Sequence, residues 1–421
     1  MEIGMLVNNL SISGGYQKLV INLTKELTKL GHIVTVYTLE VNKEKCYPEE
    51  INKIQIISLN ETINIQATQS DKLGERIRQT LLEQNLLQKR FSIIAKKIKQ
   101  NTEVIILHDH YMLHCLNKMS TIKKPLTIWM LNNQLDNFSK LDVLFSSMFT
   151  QFPIKTLNLK AFIYNFALRI LFIPFTLSKF FSFKQGIRKV DEFAVYDRNN
   201  QTLVKKMFHK TATVVSAGAD TASFQALFRE RSFDQLLQIK ILSVGVVFPH
   251  RRYEDIINAT KILLDCGYKP ITKIIGSHIY SEEYFLELNK LVEALNLNEN
   301  VFFYEGIPSN DLQEIYNDSD IFIFVNDGFT WGISVFEAIA AGLPVIITNN
   351  IGAADIIKDK NIGWLVNPCS PSEISDAVIE IITNPQKTKK IINNAYNKSI
   401  DFISWNAYTL RMNQIIMKTK K

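Results

Sequence analysis

The sequence predicts an α/β protein of two domains, each built on a mostly parallel sheet. Three observations predict it. The chain has 421 residues, too many for one ordinary core and enough for two domains of roughly 200 residues each. Strand-like apolar runs alternate with segments of helical period along both halves, the pattern that places helices between parallel strands. The composition, 46% hydrophobic and 21% charged, is that of a globular protein and excludes disordered and collagen-like classes.

The elements follow in order. Ile3 to Val7 is a short apolar strand. SISGG, with Gly14 and Gly15, turns the chain into a helix whose Leu19, Val20, Leu23, Leu27 and Leu30 share one face. Gly31 ends that helix, and HIVTVYT reads as a β-branched strand. VIILHDH (Val104 to His110) and PLTIWMLNN (Pro125 to Asn133) read as further strands of the same sheet. In the second half Ile239 to Val247 is a strand, and PHRRYEDIINATKILLDCG runs into a helix ending near Gly267. PITKIIGS, NVFFYEGIP, DIFIFVND, LPVIITNN and GWLVNP are strands with helices between them. The boundary between the halves falls near Val214 to Phe224. Open α/β sheets bind ligands at the carboxyl ends of their strands, so glycines and polar residues at those ends are the candidate site.

The net charge of +7 favours an anionic partner such as phosphate, acidic lipid or nucleic acid. Nucleic acid is not predicted, because outside one segment no basic stretch is interleaved with base-stacking aromatics. That segment, Val143 to Val190, has no Asp or Glu but carries Lys155, Lys160, Arg169, Lys179, Lys184, Arg188 and Lys189 around AFIYNFALRILFIPFTLSKFF. A spanning helix needs about 20 apolar residues. Arg169 falls mid-segment and Pro174 breaks the helix, so a basic amphipathic region at a membrane surface is expected. Buried helices with snorkelling basic residues are the alternative. Cys46, Cys115, Cys266 and Cys369 show no C-x-x-C spacing, which predicts neither a disulfide framework nor a zinc ribbon and fits a reducing, cytoplasmic setting. MEIGMLV reads as a first strand and not as a signal peptide.

Four constellations carry chemistry. Gly14 and Gly15 let a backbone approach a ligand closely, and the amides of the helix that follows attract an anion; an ordinary Gly-Gly turn has the same sequence. Pro249-His250-Arg251-Arg252 puts two guanidiniums at the head of a helix, where the macrodipole disfavours them. A bound phosphate removes the conflict, since an arginine fork binds two oxygens; a solvated basic loop is the alternative. Gly328 to Ile346, GFTWGISVFEAIAAGLPVI, holds one charged side chain, Glu337. It is expected to open a helix, where a carboxylate is favourable. A desolvated carboxylate also needs donors, and two ribose hydroxyls would supply them. His108, Asp109, His110 and His114 cluster after a strand. Strand alternation points His108 and His110 to one face and Asp109 to the other, which favours polar residues lining a cleft over a metal site.

Taken together, these features resemble the family 4 retaining glycosyltransferases, nucleotide-sugar enzymes of the GT-B fold, with two Rossmann-like domains facing a central cleft. The resemblance spans nearly the whole chain, is strongest from Ile239 to Ile379 and is weakest from Asp136 to Arg188. Its most specific piece is Gly328 to Ile346 followed by NNIGAADIIKDKNIGWLVNP, with Asp355 for the family's usual glutamate. GGYQKLVINLTKELTKLGHIVTVYT is similar to the family's N-terminal glycine loop and helix, and SWNAYTLRMNQIIMK to its C-terminal helix. The resemblance implies an acceptor-binding domain over 1–215, a nucleotide-sugar domain over 216–400, and a helix in 401–421 that packs back toward the first domain.

The same resemblance assigns residues. The family marks its donor site with two glutamates eight positions apart. The second, which binds ribose, is Glu337; the first position holds Phe329, with Asp327 two residues earlier. The amides that approach sugar hydroxyls and phosphate map to Trp331, Gly332, Ile333, Ser334 and Val335. The Arg and Lys that grip the diphosphate map to Val246 and Arg251, with Arg252 next. The strand-end His maps to Asn132, which hydrogen-bonds but carries no proton charge. Gly276-Ser277 and Gly306-Ile307 match loops that meet base and ribose.

The implied reaction moves a hexosyl group, with retention, from a nucleoside diphosphate sugar to a glycan or lipid-linked acceptor. Its setting would be cell-surface polysaccharide or glycolipid assembly at the cytoplasmic membrane face. Arg251, Arg252, and the amides near Gly15 and Ser334 would stabilise the departing charge, so no metal and no cofactor are expected. Phe329, Val246 and Asn132 also admit a non-catalytic member that binds nucleotide or glycan.

Overall fold

The structure, a computed structural model, describes residues 1–59, 73–131, 177–178, 180–233, 236–279, 281–328 and 330–418. Asn132, Phe329 and positions 143–176 and 179 of the basic aromatic segment lie outside them. The chain divides into two units: Met1–Val215 with Arg411–Lys421, and Ser216–Leu410.

The first unit has seven parallel strands: β1 (Glu2–Leu10), β2 (Ile33–Val41), β3 (Gln55–Ser58), β4 (Val104–Leu107), β5 (Leu126–Leu131), β6 (Glu192–Val195) and β7 (Ala212–Val214). Their order is β3-β2-β1-β4-β5-β6-β7, with Met5 of β1 opposite Val36 on one side and Ile106 on the other. β4 is buried at every residue, as befits a strand covered on both faces. Helix Gly15–Lys29 buries Leu19, Val20, Leu23 and Leu27 as the period predicts. Leu30 lies one residue past its end and is 41% exposed. Gly31 adopts φ +86°, the left-handed stop that favours glycine.

The second unit has six parallel strands: β8 (Gln238–Val244), β9 (Lys269–Ile275), β10 (Val301–Tyr304), β11 (Ile321–Phe324), β12 (Val345–Thr348) and β13 (Trp364–Val366). Their order is β10-β9-β8-β11-β12-β13. β11 and β12 are wholly buried. Tyr253, Ile256, Ile257 and Leu263 of helix Tyr253–Asp265 join Val378 and Ile381 of helix Pro371–Thr383 in one core.

Several strands are shorter than their apolar runs suggest. β4 stops at Leu107, before the histidines, and β8 stops at Val244, before Gly245. In both cases the chain leaves the sheet where the polar or glycine residues begin. β3, β6 and β7 have four, four and three residues, too few for a period to show.

At the end of β9 the backbone of Gly276 lies against Gly245. A Cβ on Gly276 would stand 1.8 Å from the Gly245 carbonyl oxygen. Gly276→Ala therefore forces two strand ends apart. A loss of about 1–3 kcal/mol, the range for overpacking, is expected in urea unfolding of the full chain.

Candidate functional site

In the second sheet β8 and β11 are neighbours, although β9 and β10 intervene in sequence. Such a reversal of strand order leaves a crevice at the carboxyl ends, where open α/β sheets bind ligands. β8 runs into Gly245, and a short turn, Pro249–Arg251, precedes helix Tyr253–Asp265. The Arg251 side chain folds back over this strand end. Its Nη2 would lie 2.7 Å from a Cβ on Gly245, and its guanidinium carbon is 4.3 Å above the Phe324 ring. Among the described residues it has no carboxylate partner, and its Nε is buried without a hydrogen bond. Burial pulls its pKa below the ordinary arginine value. A desolvated cation lacking an anion is unfavourable, and a phosphate would relieve it.

Arg252 behaves differently, and this corrects the expectation that both guanidiniums are available. Its backbone is left-handed, at φ +50°, and the side chain curls over the first turn of the helix. There it bonds Asp255 through Nε at 3.1 Å and Nη2 at 2.9 Å, and pairs with Glu254 at 2.8 Å. The chain's own acids thus answer the macrodipole conflict at this residue.

Gly332, at φ +90°, caps helix Ile333–Ala340. The Ser334 hydroxyl donates to the Val244 carbonyl at 3.1 Å and ties this helix to the end of β8. First-turn amides lack intrahelical acceptors; of these, Val335 bonds the Gly332 carbonyl at 3.1 Å. Glu337 does not open the helix. It is the fifth residue, in the second turn, and no acidic residue stands in the first, so the macrodipole does not account for it. Glu337 is 6% exposed. Beside it lies Tyr316 of helix Ser309–Asp318, a fully buried phenol held well above its ordinary pKa by burial and then by the Glu337 charge. A protein neighbour thus faces the carboxylate, which the sequence did not show.

The sequence also passed over Asn326. It lies two residues past the end of β11 and is fully buried; its backbone N–H donates to Thr348 Oγ1 at 3.1 Å. Among the described residues neither end of its carboxamide has a hydrogen bond, at a penalty of about 1–3 kcal/mol for a buried unsatisfied group. The signal was present: a polar residue just after the all-apolar IFIFV, past the end of the strand that flanks the crevice. Next to it, the Asp327 N–H donates to the His250 carbonyl at 3.0 Å. His250 is pushed down to about 4 by burial and by Arg251, against the opposing pull of Asp327, and is neutral at pH 7.

The β9 and β10 ends run alongside. Gly245 N–H bonds Ile275 O at 2.9 Å, Val247 N–H bonds Ser277 O at 2.9 Å, and Gly276 N–H bonds Tyr304 O at 2.9 Å. Gly306 stands at φ +68° with open space around it, and Ile307 beside it is half-buried. His278 Nδ1 is 3.0 Å from Glu305 Oε2, and its ring stacks on Phe285. This pair, too, was not foreseen.

In the first unit the Gly14–Gly15 turn leads from β1 into its helix. Gly14 is extended, at φ −144°. The turn is fastened by Ser13 Oγ to Lys45 O at 2.9 Å and by Tyr47 OH to Gly14 O at 3.3 Å. Because β4 ends at Leu107, strand alternation does not govern the histidines. Instead the Asp109 carboxylate turns inward and accepts from Asn8 N–H, Tyr16 OH and Met112 N–H. His108 is pushed down to about 3 by burial, and His110 to about 4 by burial and His114. Among the described residues no three His, Cys, Asp or Glu side chains converge to hold a metal ion.

Within the second unit, then, Arg251, Gly332, Ile333, Ser334 and Val335 gather at the β8–β11 crevice, and Gly276, Ser277, Gly306 and Ile307 at the adjoining strand ends. Gly14 and Gly15 belong to the first unit, and Asn132 lies outside the described residues.

Comparison with known proteins bears on this arrangement. The sequence model of the family described as "Glycosyl transferases group 1" matches residues 227–398. An uncharacterized glycosyltransferase of Haemophilus influenzae is 23% identical over 393 residues, 91% of each chain. Sulfoquinovosyl transferase SQD2 of Arabidopsis thaliana is 24% identical over 206 residues, 46% of this chain and 38% of that protein. Anabaena HepE, solved in complex with UDP-glucose, superposes with a TM-score of 0.68 at 15% identity, over 99% of this chain and 100% of that one. The chain is a glycosyltransferase of the GT-B fold. Its second unit carries the group 1 domain.

In this glycosyltransferase Arg252 has a structural duty that separates it from Arg251. Asp255 is almost fully buried beneath it. Arg252→Met leaves that carboxylate unpaired and is expected to destabilise the protein by about 3 kcal/mol, the low end for breaking a buried pair. Denaturant unfolding of the variant checks this.

Proposed function

We propose that the chain transfers a hexosyl group, with retention, from a nucleoside diphosphate sugar to a glycan or lipid-linked acceptor in cell-surface polysaccharide or glycolipid assembly. The observation that carries the donor assignment is Arg251. It is a buried guanidinium with no carboxylate partner among the described residues, at the crevice where the strand order reverses. The structures of HepE with UDP and with UDP-glucose support a nucleotide-sugar donor for this fold.

In this reaction positive charge grows at the anomeric carbon and negative charge on the departing diphosphate. Arg251 would meet that charge, aided by the first-turn amides at Ile333 and Ser334 and by the glycine turn at Gly14 and Gly15. Glu337 would accept from a ribose hydroxyl. Gly276, Ser277, Gly306 and Ile307 would face the base. Asn132 would bond a sugar hydroxyl. The departing phosphate takes the acceptor proton on the same face, so neither a metal nor a protein nucleophile enters the proposal.

A thermal-shift panel of UDP, GDP, dTDP and ADP tests the donor site. One of them is expected to stabilise the wild type, by about 2.7 kcal/mol at a hundredfold excess over Kd, and to have no effect on Glu337→Ala. Arg251→Ala is expected to lower kcat/KM by about 10²–10³-fold, the scale for losing one stabiliser of transition-state charge, while the unfolding midpoint holds or rises. Equal loss of activity and stability would remove the catalytic role.

The acceptor side is proposed to lie at a membrane, peripherally and on the cytoplasmic face. Among the described residues no helix is long and apolar enough to cross one. The described end of the basic aromatic segment is a helix over 180–188, with Phe181 64% exposed and Lys184 and Arg188 exposed beside it. Flotation with anionic vesicles at low salt is expected to carry the protein upward. Replacing Lys184 and Arg188 with Gln removes about 2 kcal/mol of attraction, at about 1 kcal/mol per charge, or roughly thirtyfold in partitioning. No flotation of the wild type would sink the membrane assignment.

A further inference from the structure

Asp109 is 7% exposed and no cation opposes it among the described residues. Three neutral donors from three elements meet on it. Its Oδ2 accepts from Asn8 N–H, in β1, at 2.7 Å and from the Tyr16 hydroxyl, in the first turn of helix Gly15–Lys29, at 3.0 Å. Its Oδ1 accepts from Met112 N–H, in the turn after β4, at 3.1 Å. The three elements converge where β1 and β4 are neighbours out of sequence order, the counterpart of the β8–β11 crevice. Capping the turn alone would need only one acceptor oxygen, and Asn or Ser supplies that without burying charge. An oxygen that takes two donors at once, beside a second oxygen that takes a third, is something a carboxylate provides and a carboxamide does not.

We propose that Asp109 is a positioning residue that latches the glycine turn through Tyr16 and so sets where the Gly14 and Gly15 backbone stands. On its other side the turn is already tied to Lys45 and Tyr47. The Asp109–Tyr16 bond supplies the hold toward β4 and fixes the first turn of the helix against both strand ends. The catalytic consequence rests on the proposed function; the latch itself does not.

The latch depends on ionisation. Burial pushes the Asp109 carboxyl up to about 6, against the lowering effect of its bonds from Asn8, Met112, Tyr16 and the Tyr111 backbone. The groups that face it are Tyr16, Tyr111 and Cys115, all held above their ordinary values by burial and by Asp109 itself, and His108 and His110, both held low. His114, beyond His110, bonds Ser182 Oγ at 2.7 Å. Of this carboxylate and the groups that face it directly, Asp109 is the one whose value falls in the mildly acidic range. Above about 6 it is a full acceptor and the latch holds; below, it carries a proton and its bonds from neutral donors weaken. Removing the Tyr16 hydroxyl takes away a lowering influence, so the carboxyl of Tyr16→Phe titrates at higher pH.

Hydrogen exchange of the amides of residues 8–18, corrected for the intrinsic effect of pH, tests the latch in wild type and Tyr16→Phe. The measurements bracket the carboxyl value of about 6 by roughly one unit or more on each side. Wild type is expected to exchange slowly on the alkaline side and roughly threefold or more faster on the acid side, as a local opening that frees Tyr16 while Asp109 stays buried becomes easier. Tyr16→Phe is expected to exchange fast on both sides. In donor-sugar hydrolysis the acid limb of kcat is expected to move to higher pH in Tyr16→Phe, with kcat changed more than KM. Wild-type protection that is the same on both sides, or Tyr16→Phe exchange indistinguishable from wild type, overturns the latch. Protection that follows pH without turnover of any nucleoside diphosphate sugar overturns the proposed function and leaves the latch standing.

Discussion

Both units depend on one constraint: a parallel sheet that starts in its middle. In each, the first strand is central and the chain winds outward first to one side and then to the other. The orders are β3-β2-β1-β4 and β10-β9-β8-β11. Parallel strands need crossover connections, and these cover both faces. Where the winding direction reverses, the two flanking loops leave in opposite directions and open a gap above the strand ends. The backbone there cannot be covered by the sheet's own helices. Asn8, the glycine turn and Asp109 stand at the gap in the first unit. Gly245, Arg251 and Asn326 stand at the gap in the second.

The gaps are kept narrow by close backbone contact. Gly276 sits where a Cβ would collide with the Gly245 carbonyl, and Gly245 sits where a Cβ would displace the Arg251 guanidinium. The two glycines therefore serve different ends. One lets strand ends β8 and β9 touch; the other lets a cation lie flat on the strand end, above Phe324. The Ser334 hydroxyl on Val244 adds a third tie at the same place. Position here follows from packing at the sheet edge, which is more rigid than a loop alone.

Most of the fold was legible because long apolar runs and the period of helix Gly15–Lys29 carry strong signals. β3, β6 and β7 were not, because a strand of three or four residues shows no period. Strand ends were misjudged in both directions: Val246 and His110 were read as strand although the chain had already left the sheet, while β1 runs on to Leu10, past Val7. At the site, residue type was legible and partner was not. Arg251 and Arg252 are adjacent and identical in type, yet a left-handed backbone at Arg252 turns it onto Asp255, while Arg251 has no acid among the described residues. Glu337 read as a helix opener because its helix starts four residues earlier, at Ile333 after a left-handed Gly332. Tyr316 and Asn326 come from other elements, and only the fold brings them to the site.

Among the described residues, Arg251 is buried without an acid, the Asn326 carboxamide without a hydrogen bond and Asp109 without a cation, each of which lowers stability. Asp109 makes the direction explicit. Its folded value of about 6 lies above the ordinary 3.8, so the folded state holds its proton more tightly than the unfolded chain. Stability from this group is then full below the ordinary value, falls as pH rises through about 6, and stays low above. A purely structural residue would be placed the other way, ionised where it stabilises. Arg251, Asn326 and Asp109 stand at the two strand-order reversals, while acids such as Asp255 and Asp318 in the framework are paired with Arg252 and with Lys240 and Lys273. Strained groups at the proposed ligand sites, with paired charges such as these in the framework, are what is expected when function and not stability chose the residues at the gaps.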